Sequence, residues 1–325
     1  MNLQGRVELM VNLGDYIREN SLEWQHTIIK AYEKNPWFLP VFSELASKNI
    51  TDEFLDPLKL GNWAEHYRIS GKNAEKTVGI IMAGNIPMVG FHDFLCAFIN
   101  GNQQKIKLSS KDDVLLKFLI NKMIVMEPAA QDYIEIADQL KKCDAYIATG
   151  SANTSRYFHE YFGKYPNIIR SNKTSMAVLT GEESPEELEK LADDIHIYFG
   201  LGCRNVTKLF VPPSFDFEKL LKAFSSYAYF ADINKYRNNF DYQLTICLMN
   251  KKMYMTNGST LLIENESVFS PISVVHYEFY EKDVVIPESV QCVIGKQYIP
   301  FGDAQKPDLF DYADGVDTIG FLQAL

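Results

Sequence analysis

From Thr77 to the C-terminus, short runs rich in β-branched residues alternate with longer segments whose apolar residues recur every three or four positions. Parallel strands need crossover helices, so this alternation predicts an α/β fold with mainly parallel sheets. The strands predicted are TVGIIMAG, KIKLSS, AYIATG, MAVLTG, TKLFVPP, QLTICLMN and SVVHYEFY. Roughly the first 75 residues read as mostly helical, with Trp24, Trp37 and Trp63 as packing anchors. One helix start is sharply marked: Ser184-Pro185-Glu186-Glu187 is a capping box with proline at the first helical position. Leu188, Leu191, Ile195 and Tyr198 follow at helical spacing, and Gly200 supplies the stop. Cys203 therefore falls just past a helix C-terminus, whose carbonyl end does not favour a thiolate.

The most apolar stretch, Thr77 to Gly101, is long enough to span a bilayer, but Asn85, Pro87, His92 and Asp93 interrupt it. It reads as strand, turn and helix, with Pro87 opening the helix. The N-terminus carries early charges and no signal-like apolar run, so secretion is not expected. At 325 residues the chain has room for two domains. Its net charge of −10 opposes loose binding to nucleic acid or anionic membrane. Five cysteines, an odd number without CxxC or a zinc-like Cys/His cluster, suit a reducing, cytoplasmic setting and give no metal site.

Four corners carry candidate chemistry. In MAGNIPMVGF, Asn85 sits in a turn after a strand, where it either caps a helix or donates its amide to a developing oxyanion. In GNQQKIKLSSKDD, Lys105 and Lys107 share a strand face that runs into Ser109 and Ser110. They mark either a solvated face or a ribose and phosphate contact. In YIATGSANTSRYFHEYFG a strand ends at Gly150-Ser151 before an amphipathic helix closed by Gly163. Such a turn presents N–H groups to an anion, and Ser151 serves equally as a plain cap. In FGLGCRNVTKLFVP, Cys203 is either an inert packed thiol or a nucleophile. Cys96, Cys143, Cys247 and Cys292 fit inert packed thiols, the first, third and fourth of them in core-like runs, and His196 falls on the capped helix rather than beside a cysteine.

Taken in order, these segments resemble those of the aldehyde dehydrogenase superfamily and, within it, the acyl-CoA reductases typified by the reductase subunit of the bacterial luminescence fatty-acid reductase complex. AGNIP is similar to the P-W-N-F-P turn, GNQQKIKLSS to G-N-x-x-x-x-K-P-S-E, ATGSANTS to F-T-G-S-x-x-x-G, and FGLGCRNVTKLFV to G-Q-x-C with its strand. SVFSPISVV resembles E-x-F-G-P, and YIPFGDAQ with DYADGVDTIGFL resembles the closing P-F-G segment and tail. The resemblance implies a Rossmann-type cofactor domain and an α/β domain bearing the cysteine, with the active site in the cleft between them. The boundaries it suggests are 1–171 for the helical segment with the cofactor domain, 172–300 for the cysteine domain and 301–325 for a tail packing on the first domain or a partner. It implies Cys203 as nucleophile and Asn85 as oxyanion donor. Lys107, Ser110, Gly150, Ser151, Glu266 and Phe269 are implied as cofactor contacts.

Three departures sharpen the expectation. Ser155 stands where glycine is frequent, and Ser267 replaces the glutamate that clamps the nicotinamide ribose, leaving only Glu266 nearby. Aligned on Lys173, Ile169 stands where hydrolytic members keep the glutamate that activates water. The resemblance thus implies reduction of an acyl-CoA to an aldehyde through an acyl-cysteine, with NADPH accepted at least as well as NADH. A homo-oligomer or a fatty-acid reductase-like complex is implied as the assembly. A scaffold that binds nucleotide or a partner without turnover, and an acyl-phosphate reductase, are the competing readings.

Overall fold

A computed structural model describes residues 1–71 and 74–325. The chain divides into two compact units: one comprises Met1–Asn172 and Pro307–Leu325, the other Lys173–Lys306.

The first unit begins with four helices, α1 (Leu3–Arg18), α2 (Leu22–Lys34), α3 (Pro40–Asn49) and α4 (Pro57–His66), with a π-helical turn at Ile50–Phe54. The sequence sets their starts: Asn2, Ser21 and Asp56 each accept backbone N–H groups of the first turn, and α3 and α4 open on proline. Trp24 and Trp63 are fully buried, as expected of anchors, whereas Trp37 is only half-buried and its neighbour Phe38 takes the core position. After β1 (Thr77–Ile81), α5 (Phe91–Asn100), β2 (Gln103–Lys107), α6 (Leu115–Met126), β3 (Ile134–Ile136), β4 (Ala145–Thr149), α7 (Ala152–Phe162) and β5 (Asn167–Arg170), the five strands form a wholly parallel sheet in the order β3-β2-β1-β4-β5. This is the strand order of a dinucleotide-binding fold, whose direction reverses between β1 and β4. The closing segment carries α11 (Thr318–Gln323) back onto α5. Trp63 Nε1 donates to the Tyr312 hydroxyl at 3.1 Å, and buried Arg170 bonds both Asp93 (2.6 Å) and the Thr318 hydroxyl (3.1 Å).

The second unit contains β6 (Thr174–Val178), α8 (Pro185–His196), β7 (Val206–Val211), α9 (Phe217–Ala223), α10 (Asn234–Met249), β8 (Met255–Thr256), β9 (Leu261–Glu264), β10 (Val274–Phe279) and β11 (Val290–Ile294). Its sheet order is β11-β6-β7-β10-β9-β8, parallel except for β8. The capping box at Ser184 and Glu187 forms as expected.

Three local expectations are corrected. QLTICLMN lies in α10, not in a strand. Leu244, Ile246 and Leu248 alternate as a strand would, but Phe240, Leu244 and Cys247 recur at helical spacing and pack on Leu261, Ile263 and Val274, leaving Leu248 exposed. Pro87 does not open a helix. Met88 adopts a left-handed φ of 54°, so α5 starts only at Phe91 after Gly90. Tyr198 lies outside α8: Tyr198, Phe199 and Gly200 are all left-handed (φ 55°, 57° and 73°) and turn the chain sharply after His196. Among the described residues no helix is long and apolar enough to cross a membrane.

Candidate functional site

In the first unit, the candidate segments gather at one edge of the sheet. Asn85 follows β1, Lys107 ends β2 and leads to Ser110, Gly150-Ser151 follows β4, and Ile169-Arg170 ends β5. All are at carboxyl ends of parallel strands, flanking the reversal of strand order where open α/β sheets bind ligands. Asn85, Lys107, Ser110 and Ser151 are exposed there.

The turn bearing Asn85 is held by a residue that the sequence did not flag. Asp112 is buried and accepts the Met88 N–H at 2.7 Å, while its Oδ1 is buried without a partner. Burial pushes its carboxyl up to about 7, opposed by the Met88 N–H. A Cβ on Gly84 would lie 2.5 Å from the Ser109 hydroxyl, so the turn before Asn85 needs glycine for close approach. In the sequence Asp112 is marked only as one of an acidic pair in SSKDD, with nothing local to show that it is buried.

Ser151 caps α7, accepting the Thr154 N–H at 3.3 Å and bonding its hydroxyl at 2.9 Å. At Gly150 a Cβ would meet the Phe158 ring at 2.9 Å, so the strand-to-helix turn is tight. Ser155 is buried on α7. Lys105 is paired with Glu135 on β3 at 3.2 Å, whereas Lys107 stands exposed two residues on, along the same face.

In the second unit, Cys203 lies in a turn before β7, and among the five cysteines it alone is not buried. Burial pushes the thiols of Cys96, Cys143 and Cys247 up, which makes them poor nucleophiles. The Asn205 N–H closes the turn on the Gly202 carbonyl at 3.1 Å, and the Gly202 N–H donates to the Asn205 side chain at 2.8 Å. The Asn205 amide donates in turn to the carbonyls of Asp194 (3.1 Å) and Ile197 (2.8 Å) at the end of α8. It thereby covers the carbonyl end that would otherwise disfavour a thiolate. Ser175 donates to the Cys203 carbonyl at 3.0 Å and lies 2.9 Å from the Cys292 sulfur.

Asp194, also buried, accepts the N–H groups of Gly302 (2.7 Å) and Ala304 (3.1 Å). Burial raises its carboxyl to about 7 against those two bonds. His196 takes no part at the corner: burial pulls it down to about 4, and its ring nitrogens meet the Ala192 carbonyl and the Thr260 hydroxyl.

The segment carrying Glu266 and Phe269 is brought to the start of β7. Thr207 donates to the Val268 carbonyl (2.6 Å), buried Lys208 to the Asn265 carbonyl, and His276 Nδ1 lies 2.9 Å from the Ser267 carbonyl. Glu266 and Phe269 remain exposed, while the Ser267 hydroxyl donates to the Phe269 carbonyl at 3.0 Å. Asn205, Ser175, Asp112, Asp194 and Lys208 were all missed in the sequence, since polar residues buried by distant segments leave no local signature. Among the described residues no group of His, Cys, Asp and Glu could hold a metal ion.

The two raised aspartates give a pH prediction. A carboxyl at about 7 in the folded chain and near 4 when unfolded binds more protons folded, so stability is greatest in acid and falls as pH rises from about 4 to about 7. Each contributes roughly 3–4 kcal/mol to that fall. Asp112→Asn, which keeps an acceptor for Met88, is expected to remove about half of it. Urea unfolding at intervals from pH 4 to 8 measures this, and an unchanged slope in the variant would refute the assignment.

Both units belong to a known architecture. The chain has the fold of aldehyde dehydrogenases. Aldehyde dehydrogenase 21 from Physcomitrella patens, solved with the reaction product succinate, superimposes with a TM-score of 0.65 at 12% identity, covering 87% of this chain and 69% of that one. Betaine aldehyde dehydrogenase from Staphylococcus aureus, solved with NAD+, gives 0.64 at 13% identity over 87% and 67%. A mutant of indole-3-acetaldehyde dehydrogenase from P. syringae, solved with NAD+ and IAA, gives 0.61 at 10% over 87% and 68%. No curated protein sequence matches. The sequence profile of the acyl-CoA reductase (LuxC) family matches residues 41–223, more than half of the chain, and the protein belongs to that family.

Proposed function

We propose that the protein reduces an acyl thioester, acyl-CoA, to the aldehyde with a reduced nicotinamide nucleotide through an acyl-Cys203 intermediate. The observation that carries this reading is the Cys203 corner: in a chain of the acyl-CoA reductase family, the one cysteine that is not buried sits in a turn fastened by Asn205 and Ser175. The Cys203 thiolate attacks the thioester carbonyl, the bond to the CoA sulfur breaks, and CoA leaves as the thiol after taking a proton from solvent. The Asn85 amide and a backbone N–H at Cys203 hold the negative oxygen of the tetrahedral species. A reduced nicotinamide, when bound, would supply a hydride to the acyl carbon. Collapse of the resulting tetrahedral oxyanion would break its bond to the Cys203 sulfur, releasing the aldehyde and returning the Cys203 thiolate.

The first unit fits such a cofactor. Its strand order reverses at β1 and β4, Gly150 makes the close turn, the N-terminus of α7 faces the same edge, and Lys107 stands exposed at the end of β2. NAD+ in two of the solved relatives supports the cofactor class. Ser110 leaves no carboxylate to repel a 2′-phosphate, which favours NADPH at least as much as NADH. Glu266 and Phe269 are the contacts on the second unit.

Intact-mass measurement after exposure to a panel of acyl-CoAs, followed by NADPH or NADH, tests the proposal. An acyl adduct that either nucleotide discharges to aldehyde supports it. An adduct that neither discharges would make the protein an acyl carrier, and labelling by acyl phosphate alone would move it to the acyl-phosphate reductases. Asn85→Ala is expected to lower turnover about a hundredfold or more while leaving adduct stoichiometry intact. Turnover within about threefold of the parent in that variant would return Asn85 to a turn residue.

A further inference from the structure

The Cys203 turn is one side of a closed circuit of hydrogen bonds within the second unit. The Asn205 side chain fastens Gly202 to the carbonyls of Asp194 and Ile197. The Asp194 carboxylate reaches the other way and accepts the N–H groups of Gly302 and Ala304, one on each oxygen. The Ala304 carbonyl then accepts from Arg204 Nε, on the residue next to Cys203. The path runs from Asp194 through 302–304 to Arg204, across Cys203 to Gly202 and Asn205, and back to Asp194.

The geometry points to Asp194 as a positioning residue for Cys203, acting through the 302–304 backbone and Arg204. It touches neither substrate nor cofactor in this role, which rests on the reading of Cys203 as the acylated group. A carboxylate suits the task because two N–H donors spaced along one turn need two acceptor oxygens on one rigid group. Gly302 follows from the same geometry. It is left-handed (φ 87°), and a Cβ there would press on Lys190 at 3.1 Å, so glycine lets the segment lie on α8 with its N–H turned to Asp194. The corner needs outside support, since Tyr198, Phe199 and Gly200 are three successive left-handed residues. On one side Phe199 packs on Phe230 and Tyr236, with ring centroids 4.5 and 5.6 Å apart. On the other side the circuit supplies it.

The test is the rate and the final extent of Cys203 acylation by an acyl-CoA, followed by rapid quenching and intact mass, in the parent, Asp194→Asn, Arg204→Gln and the double variant. Asparagine offers one acceptor oxygen where two are needed. Asp194→Asn is expected to slow acylation at least about tenfold while the final extent stays at one acyl group per chain. Arg204→Gln is expected to slow it similarly, and the double variant no more than the slower single one, because both act through one segment. A parent-like rate in Asp194→Asn, a loss confined to the final extent, or additive slowing in the double variant would each overturn the proposal. If Asp194→Asn does not fold, Arg204→Gln decides alone by the same criterion. If the parent takes no acyl group, the proposed activity fails instead. The same variants are then compared by iodoacetamide alkylation of Cys203, where a rate changed at least about threefold at full extent supports the positioning role and unchanged rates refute it.

Discussion

Replacing Cys203 by alanine is expected to abolish acyl-adduct formation and to lower aldehyde production by at least about ten-thousandfold, because removing a nucleophile removes the covalent path rather than weakening it. The other four cysteines provide the contrast. Cys96 is sealed in α5, Cys247 faces β9 and β10 from α10, and Cys143 and Cys292 are buried in strand-side positions. Alanine at Cys96, Cys143 or Cys247 removes a sulfur from packing and is expected to cost about 1–2 kcal/mol of stability with acylation retained. Cys292 shares Ser175 with the Cys203 carbonyl, so its variant is the most sensitive of the controls. Peptide mapping after acyl-CoA exposure places the adduct, and an adduct on any residue other than Cys203 would overturn the proposed chemistry.

The acyl-enzyme, once formed, is expected to outlast many turnovers in water yet discharge quickly to CoA or to reduced nicotinamide. General-base assistance to water is worth about a hundred- to ten-thousandfold, and Ile169 has no group to provide it. Ile169 is half-buried in β5, paired with Ala148 of β4, so an apolar strand residue occupies the aligned position. The measurement is loss of label from enzyme acylated with radiolabelled acyl-CoA and freed of donor, in buffer alone, with CoA, and with NADPH. Fast release of carboxylic acid in buffer would show that another group activates water.

Much of this was readable from the chain because the relevant physics is local. The Ser184 capping box, the core-like settings of Cys96, Cys247 and Cys292, and the alternation that gives two mainly parallel sheets all follow from residues close in sequence. QLTICLMN misled because eight residues hold both a two-residue and a helical period, and only packing on β9 and β10 chooses. Met88 misled because its left-handed turn depends on Asp112, which arrives from beyond β2. The same holds at the Cys203 corner. Its cysteine could be picked out from its neighbours, but Asp194 acts there through residues more than a hundred positions away. No short window of sequence contains that link.

The segment Pro307–Leu325 belongs to the first unit although the whole second unit precedes it in the chain. During synthesis, the Met1–Asn172 part leaves the ribosome without Tyr312 for Trp63, Leu309 for His92 or Thr318 for Arg170. Lys173–Lys306 is continuous in sequence, so the contacts within it need no residue of the tail. The usual case, in which an N-terminal domain can fold as soon as it has been made, therefore does not hold for this first unit: its contacts to residues 307–325 form only after residues 173–306 have been made.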